Sequence, residues 1–298
     1  MADVKDKISE KGGKKTESMK GKVISYCFMA ICVAVLIHGS VNLFKVLNNY
    51  RIADELYSDT VDEFVSMSDD AAGKQMIADG SVDSQGGDQS SAAQSVTVQS
   101  EESSKQSNSK RPGSVNFKKL REINPDVIGW IYIGGANVNY PIVEGKNNDY
   151  YLHRDYRKKS LFAGSIFADY RNSRDFSDWN TVIYGHNMNN GSMFGRLSRL
   201  SKKSVYSSDP YIWIYTPQGT YCYEISAVFQ TDSGSYVYTI FKKYGKDYAN
   251  WVKKINRHTL SGLNKLPSDE DSRCITLSTC TGRTNKRTVV IAKLVGQQ

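Results

Sequence analysis

Residues 273–295 read RCITLSTCTGRTNKRTVVIAKLV, two β-rich runs joined by a short polar loop. β-Branched and apolar residues dominate both runs, and the loop contains Gly, Thr and Asn, so the stretch predicts two neighbouring strands. Because side chains alternate between the faces of a strand, Ser278 and Cys280 are expected on one face of the first strand. Arg287 begins the second strand, seven residues after Cys280.

Six earlier runs have the same character, and two helical stretches interrupt them. The runs are VIGWIYI, VNYPIV, GSIFADY, TVIYGH, YIWIYT and TYCYEISAVFQ. One helix is expected over residues 116–125, where Pro125 ends it. The other covers residues 242–258, whose large apolar side chains recur on one face: Tyr244, Tyr248, Trp251 and Ile255. Many short strands with few helices predict a mostly β fold, a closed or partly closed barrel, in one domain over residues 113–298.

The amino-terminal region predicts a membrane anchor. Residues 23–44 contain no acid, Lys or Arg. At about 1.5 Å a residue this helix would be roughly 33 Å long, enough for a hydrocarbon core of about 30 Å. Seven lysines in residues 1–22 predict a cytoplasmic amino terminus and an extracellular remainder. A cleaved signal peptide is the alternative, but its apolar core is usually shorter. His38 is expected to be interfacial.

Residues 45–112 are predicted to be a spacer outside the cell. Residues 46–66 have apolar positions near helical spacing and predict a short juxtamembrane helix. Residues 67–111 are rich in Ser, Gln, Gly and Asp with few large apolar side chains, which is typical of a disordered linker. On this interpretation, a chain without residues 1–112 should still fold.

Charge and composition exclude several classes of protein. The 298 residues carry a formal net charge of +8, but residues 110–298 alone contain 28 Lys and Arg against 15 Asp and Glu. This segregation excludes a uniformly globular cytosolic protein and a disulfide-scaffold miniprotein. A non-enzymatic domain that binds anionic wall polymers stays open as an alternative. Nucleic acid is not an expected partner, because the predicted location is outside the cell.

The five cysteines do not suggest a metal site. Cys27 and Cys32 lie in the predicted membrane span as apolar filler. Cys222 and Cys274 lie in predicted strands, where two buried thiols are favoured over a disulfide between them. There is no CxxC pattern and no Cys/His cluster with zinc spacing, so neither a metal nor another cofactor is predicted.

Cys280 and His186 form a candidate nucleophile and base. Each lies where a predicted strand ends, so both are expected at a rim of the barrel. A cysteine nucleophile needs a base or cation that holds the thiolate. His153 is the rival histidine. Arg287 would return toward the thiol and could stabilise an oxyanion with its several donors. Arg283 is the alternative arginine.

The motifs YGHN at 184–187, TLSTC at 276–280 and RxVVxAK at 287–293 resemble those of sortases, the cysteine transpeptidases of Gram-positive surfaces. The resemblance covers about residues 115–296 and is closest to class B, in the stretches 123–155 and 176–194 and in the helix-bearing insert before the catalytic strand. It implies an eight-stranded β-barrel with an N-terminal helix and an inserted helix. It also implies the catalytic trio His186, Cys280 and Arg287, and four groove residues: Asn148, Leu152, Tyr184 and Ser278.

The resemblance further implies a reaction. The enzyme would cleave an NPxTx-like C-terminal sorting motif of secreted proteins through a thioester. It would then join the new threonine carboxyl group to an amine of peptidoglycan or of its lipid-linked precursor. A hydrolytic cysteine peptidase of the cell envelope stays open as the alternative enzyme.

Overall fold

The structure is a computed structural model that describes residues 19–67, 112–267, 273–280 and 285–298. It divides into two compact units, Met1–Asn48 and Asn49–Gln298. The helices are α1 Met19–Phe64, α2 Phe117–Ile123, α3 Lys203–Tyr206 and α4 Lys246–Ile255. The strands are β1 Val65–Met67, β2 Pro112–Val115, β3 Val127–Ile133, β4 Val138–Val143, β5 Ile166–Ala168, β6 Asn180–Tyr184, β7 Tyr211–Thr216, β8 Gly219–Asp232, β9 Cys274–Cys280 and β10 Lys286–Gln297.

Eight strands close into a barrel, in the order β10-β8-β7-β3-β4-β5-β6-β9. Antiparallel pairing of β9 with β10 completes the circle. Two pairs are parallel, β4 with β5 and β6 with β9. All eight runs that the sequence predicts as strands are strands of this barrel, so the closed, mostly β fold is confirmed.

The barrel is apolar on both faces where another element covers it. Alternation along β9 turns Ile275 and Leu277 into the main core. Cys274 on the opposite face joins a second apolar cluster outside the barrel. Helix α4 supplies Trp251 and Ile255 to that cluster, as the sequence spacing predicts. The helical insert therefore packs on the strand that ends at Cys280.

Helix α2 begins at an N-cap, where the side chain of Asn116 accepts a hydrogen bond from the Lys119 amide at 3.1 Å. Leu120 is its fully buried contact with the barrel. Asn124, just beyond its carboxyl end, is also buried and donates to the Tyr156 carbonyl at 2.6 Å. This bond ties the helix to the loop that follows β4.

Residues 49–64 differ from the spacer that the sequence predicts. They form the end of α1 and belong to the barrel unit, with Leu56, Tyr57 and Phe64 buried in its main core. Strand β1 then pairs with β2. The compact unit thus begins at Asn49, well before the predicted boundary at residue 113. The predicted linker over residues 68–111 lies outside the described residues.

The amino-terminal unit contains an apolar helix. Within the described part of the chain, Val23–Phe64 is the helix long and apolar enough to cross a membrane. Side chains 23–47 are all exposed, including Leu36 and Phe44 at 68% and 70%. Such a surface is typical of a segment that lies in lipid.

Cys222 and Cys274 are buried thiols with no disulfide between them, which confirms the favoured interpretation. The hydroxyl of Tyr248 lies 3.2 Å from the Cys274 sulfur. Burial raises the pKa of the Cys274 thiol to about 12. Cys274 is therefore a core group and not a reactive thiolate.

Candidate active site

Parallel pairing brings the ends of β6 and β9 together. Tyr184 of β6 lies opposite Ser278 of β9, and the Gly185 amide donates to the Ser278 carbonyl at 3.2 Å. His186 and Cys280 each follow two residues later. Because parallel strands run in the same direction, both residues leave the sheet at the same end of the barrel.

Antiparallel pairing brings Arg287 to that end. Its Cα partner across the β9–β10 ladder is Cys280 itself, so the two residues share one face of the sheet. Nη1 of Arg287 donates to the Lys286 carbonyl at 3.0 Å. The side chain of Cys280 and the whole of Arg283 lie outside the described part of the structure.

A cavity of about 270 Å³ opens at this end of the barrel. Six of the predicted site residues line it: Asn148, Leu152, Tyr184, His186, Ser278 and Arg287. Phe167, Gly185, Ser233, Tyr238 and Thr279 complete the lining. The predicted groove residues and the two described members of the trio thus face one cavity.

The ring of His186 has a defined orientation. Its Nε2 lies 2.7 Å from the Leu152 carbonyl oxygen. A carbonyl oxygen only accepts, so Nε2 carries the proton and Nδ1 of the neutral ring is the nitrogen that can take another. Burial lowers the pKa of His186 below its usual value, the hydrogen bond to Leu152 opposes this, and nearby His153 adds to the lowering.

His153, the rival base, is exposed and stacks beside the His186 ring, with the centroids 5.7 Å apart. It lies at the end of the short 3-10 helix Tyr150–His153, which also carries Leu152. Its position outside the cavity lining and beside His186 favours His186 as the base and gives His153 an electrostatic influence on it.

Asp169 is a buried carboxylate that holds two lining residues of the cavity, and no sequence pattern indicates it. It accepts hydrogen bonds from the Tyr184 hydroxyl at 2.9 Å and the Asn148 amide at 3.0 Å. Arg171 binds both of its oxygens, at 2.8 and 2.7 Å. Burial by itself raises the pKa of Asp169, but these hydrogen bonds outweigh it and hold the pKa below the usual value.

Asn148 has both ends of its amide engaged. Its nitrogen donates to Asp169, and its oxygen accepts from the Tyr170 amide at 3.1 Å. Tyr184 likewise gives its hydroxyl to Asp169. These two residues therefore present a fixed wall to the cavity, with their polar atoms already partnered.

Ser278 is hydrogen-bonded to Tyr238, a second lining residue that no sequence pattern indicates. Its hydroxyl lies 2.9 Å from the hydroxyl of Tyr238, which comes from the 3-10 helix Tyr236–Tyr238 in the insert between β8 and α4. Ser278 is buried, whereas Tyr238 is partly exposed. The insert thus contributes directly to the cavity beside β9.

No group of His, Cys, Asp or Glu side chains that could hold a metal ion occurs among the described residues. The residue types brought to this end of the barrel, Cys280, His186 and Arg287, carry a thiol, an imidazole and a guanidinium. This combination suits acyl transfer through a covalent intermediate.

Comparisons with known proteins agree with the fold. The family model described as "Sortase domain" matches residues 131–295. Sortase B of Listeria monocytogenes is 38% identical over 164 residues, which are 55% of this chain and 66% of that protein, just under two thirds of its length. Sortase B of Staphylococcus aureus is 34% identical over 185 residues, 60% of this chain and 74% of that protein.

Solved structures give the same result. Sortase B of Clostridium perfringens matches with a TM-score of 0.55 and 33% identity, over 60% of this chain and 100% of that one. Sortase B of Bacillus anthracis in complex with AAEK1 matches with a TM-score of 0.60 and 28% identity, over 84% of this chain and 99% of that one. A "Staphylococcus aureus sortase B-substrate complex" matches with a TM-score of 0.55 and 31% identity, over 60% and 86%.

The chain therefore belongs to the sortase family of cysteine transpeptidases. Both curated relatives and all three of these structures are sortase B proteins, and α4 occupies the insert between β8 and β9. Within the family, the chain is a class B sortase.

Proposed function

We propose that this protein is a single-pass membrane enzyme that cleaves a C-terminal, NPxTx-like sorting motif of secreted proteins. It then joins the new threonine carboxyl group to an amine of peptidoglycan or of its lipid-linked precursor. The observation that carries the proposal is the strand pairing that brings the ends of β6, β9 and β10 to one cavity. The likeness to a sortase B solved as a substrate complex supports a peptide ligand there.

The reaction begins with transfer of the Cys280 proton to His186. Since burial lowers the pKa of His186, the thiolate–imidazolium pair is a minor population at neutral pH. The thiolate attacks the threonine carbonyl carbon, an S–C bond forms and the carbonyl π electrons move to oxygen. Collapse of this intermediate breaks the C–N bond, and the leaving amine takes the proton from His186.

In the second half of the reaction, the threonine acyl group passes from the Cys280 sulfur to the acceptor amine. The amine attacks the thioester carbon and gives a proton to His186, and the Cys280 sulfur leaves as the thiolate. One amide bond is broken and one is made, so no redox partner is required. Arg287 supports the oxyanion in both halves, because its donors are fixed, always charged and borne on the residue opposite Cys280.

The four groove residues orient the motif. Leu152, Tyr184, Asn148 and Ser278 line the cavity together with His186. Asp169 binds the polar groups of Asn148 and Tyr184, so these two residues contribute a fixed surface that fits the peptide. The Ser278 hydroxyl can reach a bound peptide. Residues 23–44 anchor the enzyme with residues 1–22 in the cytoplasm, which leaves the cavity on the side where secreted proteins and wall precursors meet.

Peptide transfer tests this proposal. A fluorogenic Asn-Pro-x-Thr-x peptide series is incubated with the protein, with and without hydroxylamine as a small amine acceptor. We expect a threonine hydroxamate to form with the wild type and no cleavage with Cys280→Ala. Cleavage that yields only the free carboxylic acid would contradict transpeptidation, and cleavage by Cys280→Ala would contradict the nucleophile.

A further inference from the structure

A basic turn lies against the first residues of the barrel unit. It covers residues 154–162, RDYRKKSLF, and its four cations are exposed: Arg154, Arg157, Lys158 and Lys159. Phe162 closes the turn, is 52% exposed and meets Tyr50 of α1 edge to face, with the ring centroids 6.0 Å apart. An exposed aromatic ring therefore lies beside four exposed cations on this surface.

Hydrogen bonds within the basic turn order its backbone. Arg154 pairs with Ser160 in an isolated β-bridge. The buried carboxylate of Asp155 accepts the amides of Arg157 and Lys159, at 2.9 and 2.8 Å. The backbone of the turn is therefore ordered before any partner arrives, which reduces the entropy cost of binding.

Some cations of the basic turn are paired with carboxylates, but the positive charges outnumber these carboxylates. Asp155 pairs with Arg157 at 3.3 Å, and Lys158 reaches Asp126 at 2.9 Å. The guanidinium of Arg154 lies over the Tyr150 ring at 4.4 Å. On the neighbouring helix, Glu55 is paired with Arg51 at 3.1 Å. The Lys158–Asp126 pair is partly exposed, and such pairs are weak. Four cations face the two carboxylates of Asp155 and Asp126, so the turn keeps a net attraction for anions.

A cavity separates the basic turn from α1. Its volume is about 430 Å³, and it is lined by Asn49, Ile52, His153, Ser160, Leu161 and Phe162. Ile52 is 44% exposed, so its side chain and the Phe162 ring give the surface an apolar part next to the charged part. Charged and aromatic groups together are the composition of interfacial membrane-binding surfaces.

The chain itself limits how far this surface can lie from a membrane. Only five residues lie between Phe44, at the end of the apolar stretch, and Tyr50. Even fully extended, the six Cα-to-Cα steps from Phe44 to Tyr50 span about 20 Å. If residues 23–44 cross the membrane, as proposed above, Tyr50 and its partner Phe162 stay within reach of the lipid headgroups.

We propose that the basic turn and Phe162 dock on anionic phospholipid headgroups of the outer leaflet. The cations contact lipid phosphate, and the Phe162 ring enters the headgroup region. The turn directly follows His153 and Leu152, which touch His186. Docking therefore holds the catalytic end of the barrel at a fixed height above the bilayer, where a lipid-linked acceptor would be presented.

Quenching of a tryptophan by brominated lipid tests the docking. The full chain with Phe162→Trp is reconstituted in nanodiscs of phosphatidylcholine and phosphatidylglycerol, in which either one lipid or the other is brominated. The parent chain supplies the background from its native tryptophans. We expect strong quenching at position 162 in the discs with brominated phosphatidylglycerol. Added Arg157→Gln and Lys159→Gln should abolish most of it. Lys202→Gln with Lys203→Gln, an exposed basic pair at the start of α3, is the matched control and should leave the quenching unchanged.

The possible failures are distinguishable. Quenching equal to the parent background, in a chain that co-purifies with the discs, overturns the docking and leaves the anchor standing. Equal quenching by brominated phosphatidylcholine, or equal loss in the control pair, overturns the selectivity for anionic lipid. A chain that does not co-purify with discs overturns the anchor and the docking with it, whereas peptide transfer measured in detergent tests the enzyme independently of both.

Discussion

The burial of His186 makes the stability of the fold depend on pH. Burial lowers the pKa of His186 below 6.5. Because the folded chain disfavours the protonated ring, the stability that His186 contributes is fully present above about pH 6.5 and is lost as the pH falls through the lowered pKa. His186→Gln keeps an N–H donor for Leu152 and removes the titration. We expect its unfolding free energy, from urea melts at several pH values, to fall less steeply below pH 6.5 than that of the wild type.

Arg287 is predicted to act by geometry and not by charge alone. Arg287→Lys keeps the charge but loses the planar set of donors, so its kcat/KM for peptide transfer should fall about 100- to 1,000-fold, close to that of Arg287→Ala. Both variants should stay folded by circular dichroism, since the side chain is at the cavity and not in the core. Near-normal kinetics for Arg287→Lys would remove the oxyanion role. An inactive Arg283→Ala beside an active Arg287→Ala would mean that Arg283 is the important residue.

Ser278 and Tyr238 are predicted to act as a pair. Ser278→Ala should reduce kcat/KM by about 10- to 100-fold, and Tyr238→Phe should cost less, because the ring that lines the cavity is kept. The two hydroxyls lie 2.9 Å apart, so the double variant should lose less than the product of the two single losses. Strictly multiplicative losses would show that the hydroxyls act independently.

The site residues that lie on strands could be predicted from the sequence, because strand alternation indicates which face each side chain is on. Ser278, Cys280 and Arg287 follow from alternation and loop length, and the register of β9 with β10 confirms that the two strands are neighbours. Asp169 and Tyr238 could not be found in this way. Asp169 matters because of side chains that only the closed barrel brings to it, and Tyr238 lies in an insert whose path no local pattern indicates.

At the level of elements, the loop between β4 and β5 sets the position of the His186 acceptor. Gly164 in this loop has a φ of +59°, and an added Cβ would clash with the Leu152 carbonyl oxygen. Gly164→Ala must therefore move the carbonyl that His186 binds. We expect kcat to fall at least about tenfold and its acidic limb to shift in pH.

Gly262→Ala is the matched control for that change. Gly262 also has a positive φ, +82°, but an added Cβ meets nothing within 4 Å. Both variants pay the backbone strain of about 1 kcal/mol, so both should melt at a lower temperature, while only Gly164→Ala should change the kinetics. Equal activity of the two variants would mean that the Leu152 carbonyl does not control His186.

The strands and α4 were predictable because their own periodicity shows which face is buried. The role of α1 was not. Its apolar positions indicate a short helix, but they do not show what the helix packs against. Tyr57 donates to the Gly164 carbonyl at 2.6 Å and meets the Tyr140 ring edge to face. This partner surface exists only after β4 and the β4–β5 loop have joined the barrel.

For the whole molecule, the end of α1 is predicted to be essential for folding. A chain of residues 49–298 keeps Leu56, Tyr57 and Phe64 in the core, whereas a chain of residues 113–298 loses them. Each such side chain contributes about 1.5–3 kcal/mol of burial, so the loss is comparable with the whole stability of a domain, about 5–15 kcal/mol. We expect cooperative thermal unfolding for residues 49–298 and a much lower melting temperature or aggregation for residues 113–298. Equal melting temperatures would restore the boundary at residue 113.

The trapping of an acyl-enzyme tests the central claim, that Cys280 carries the substrate between two amines. The protein is mixed briefly with an Asn-Pro-x-Thr-x peptide and quenched in acid. Its intact mass is measured by mass spectrometry, and a digest then locates the adduct. We expect a mass increase equal to the peptide up to its threonine, on the fragment that contains Cys280, and its disappearance when hydroxylamine is added before the quench. Peptide turnover with no adduct at any time point, or an adduct that persists in Cys280→Ala, would contradict the mechanism.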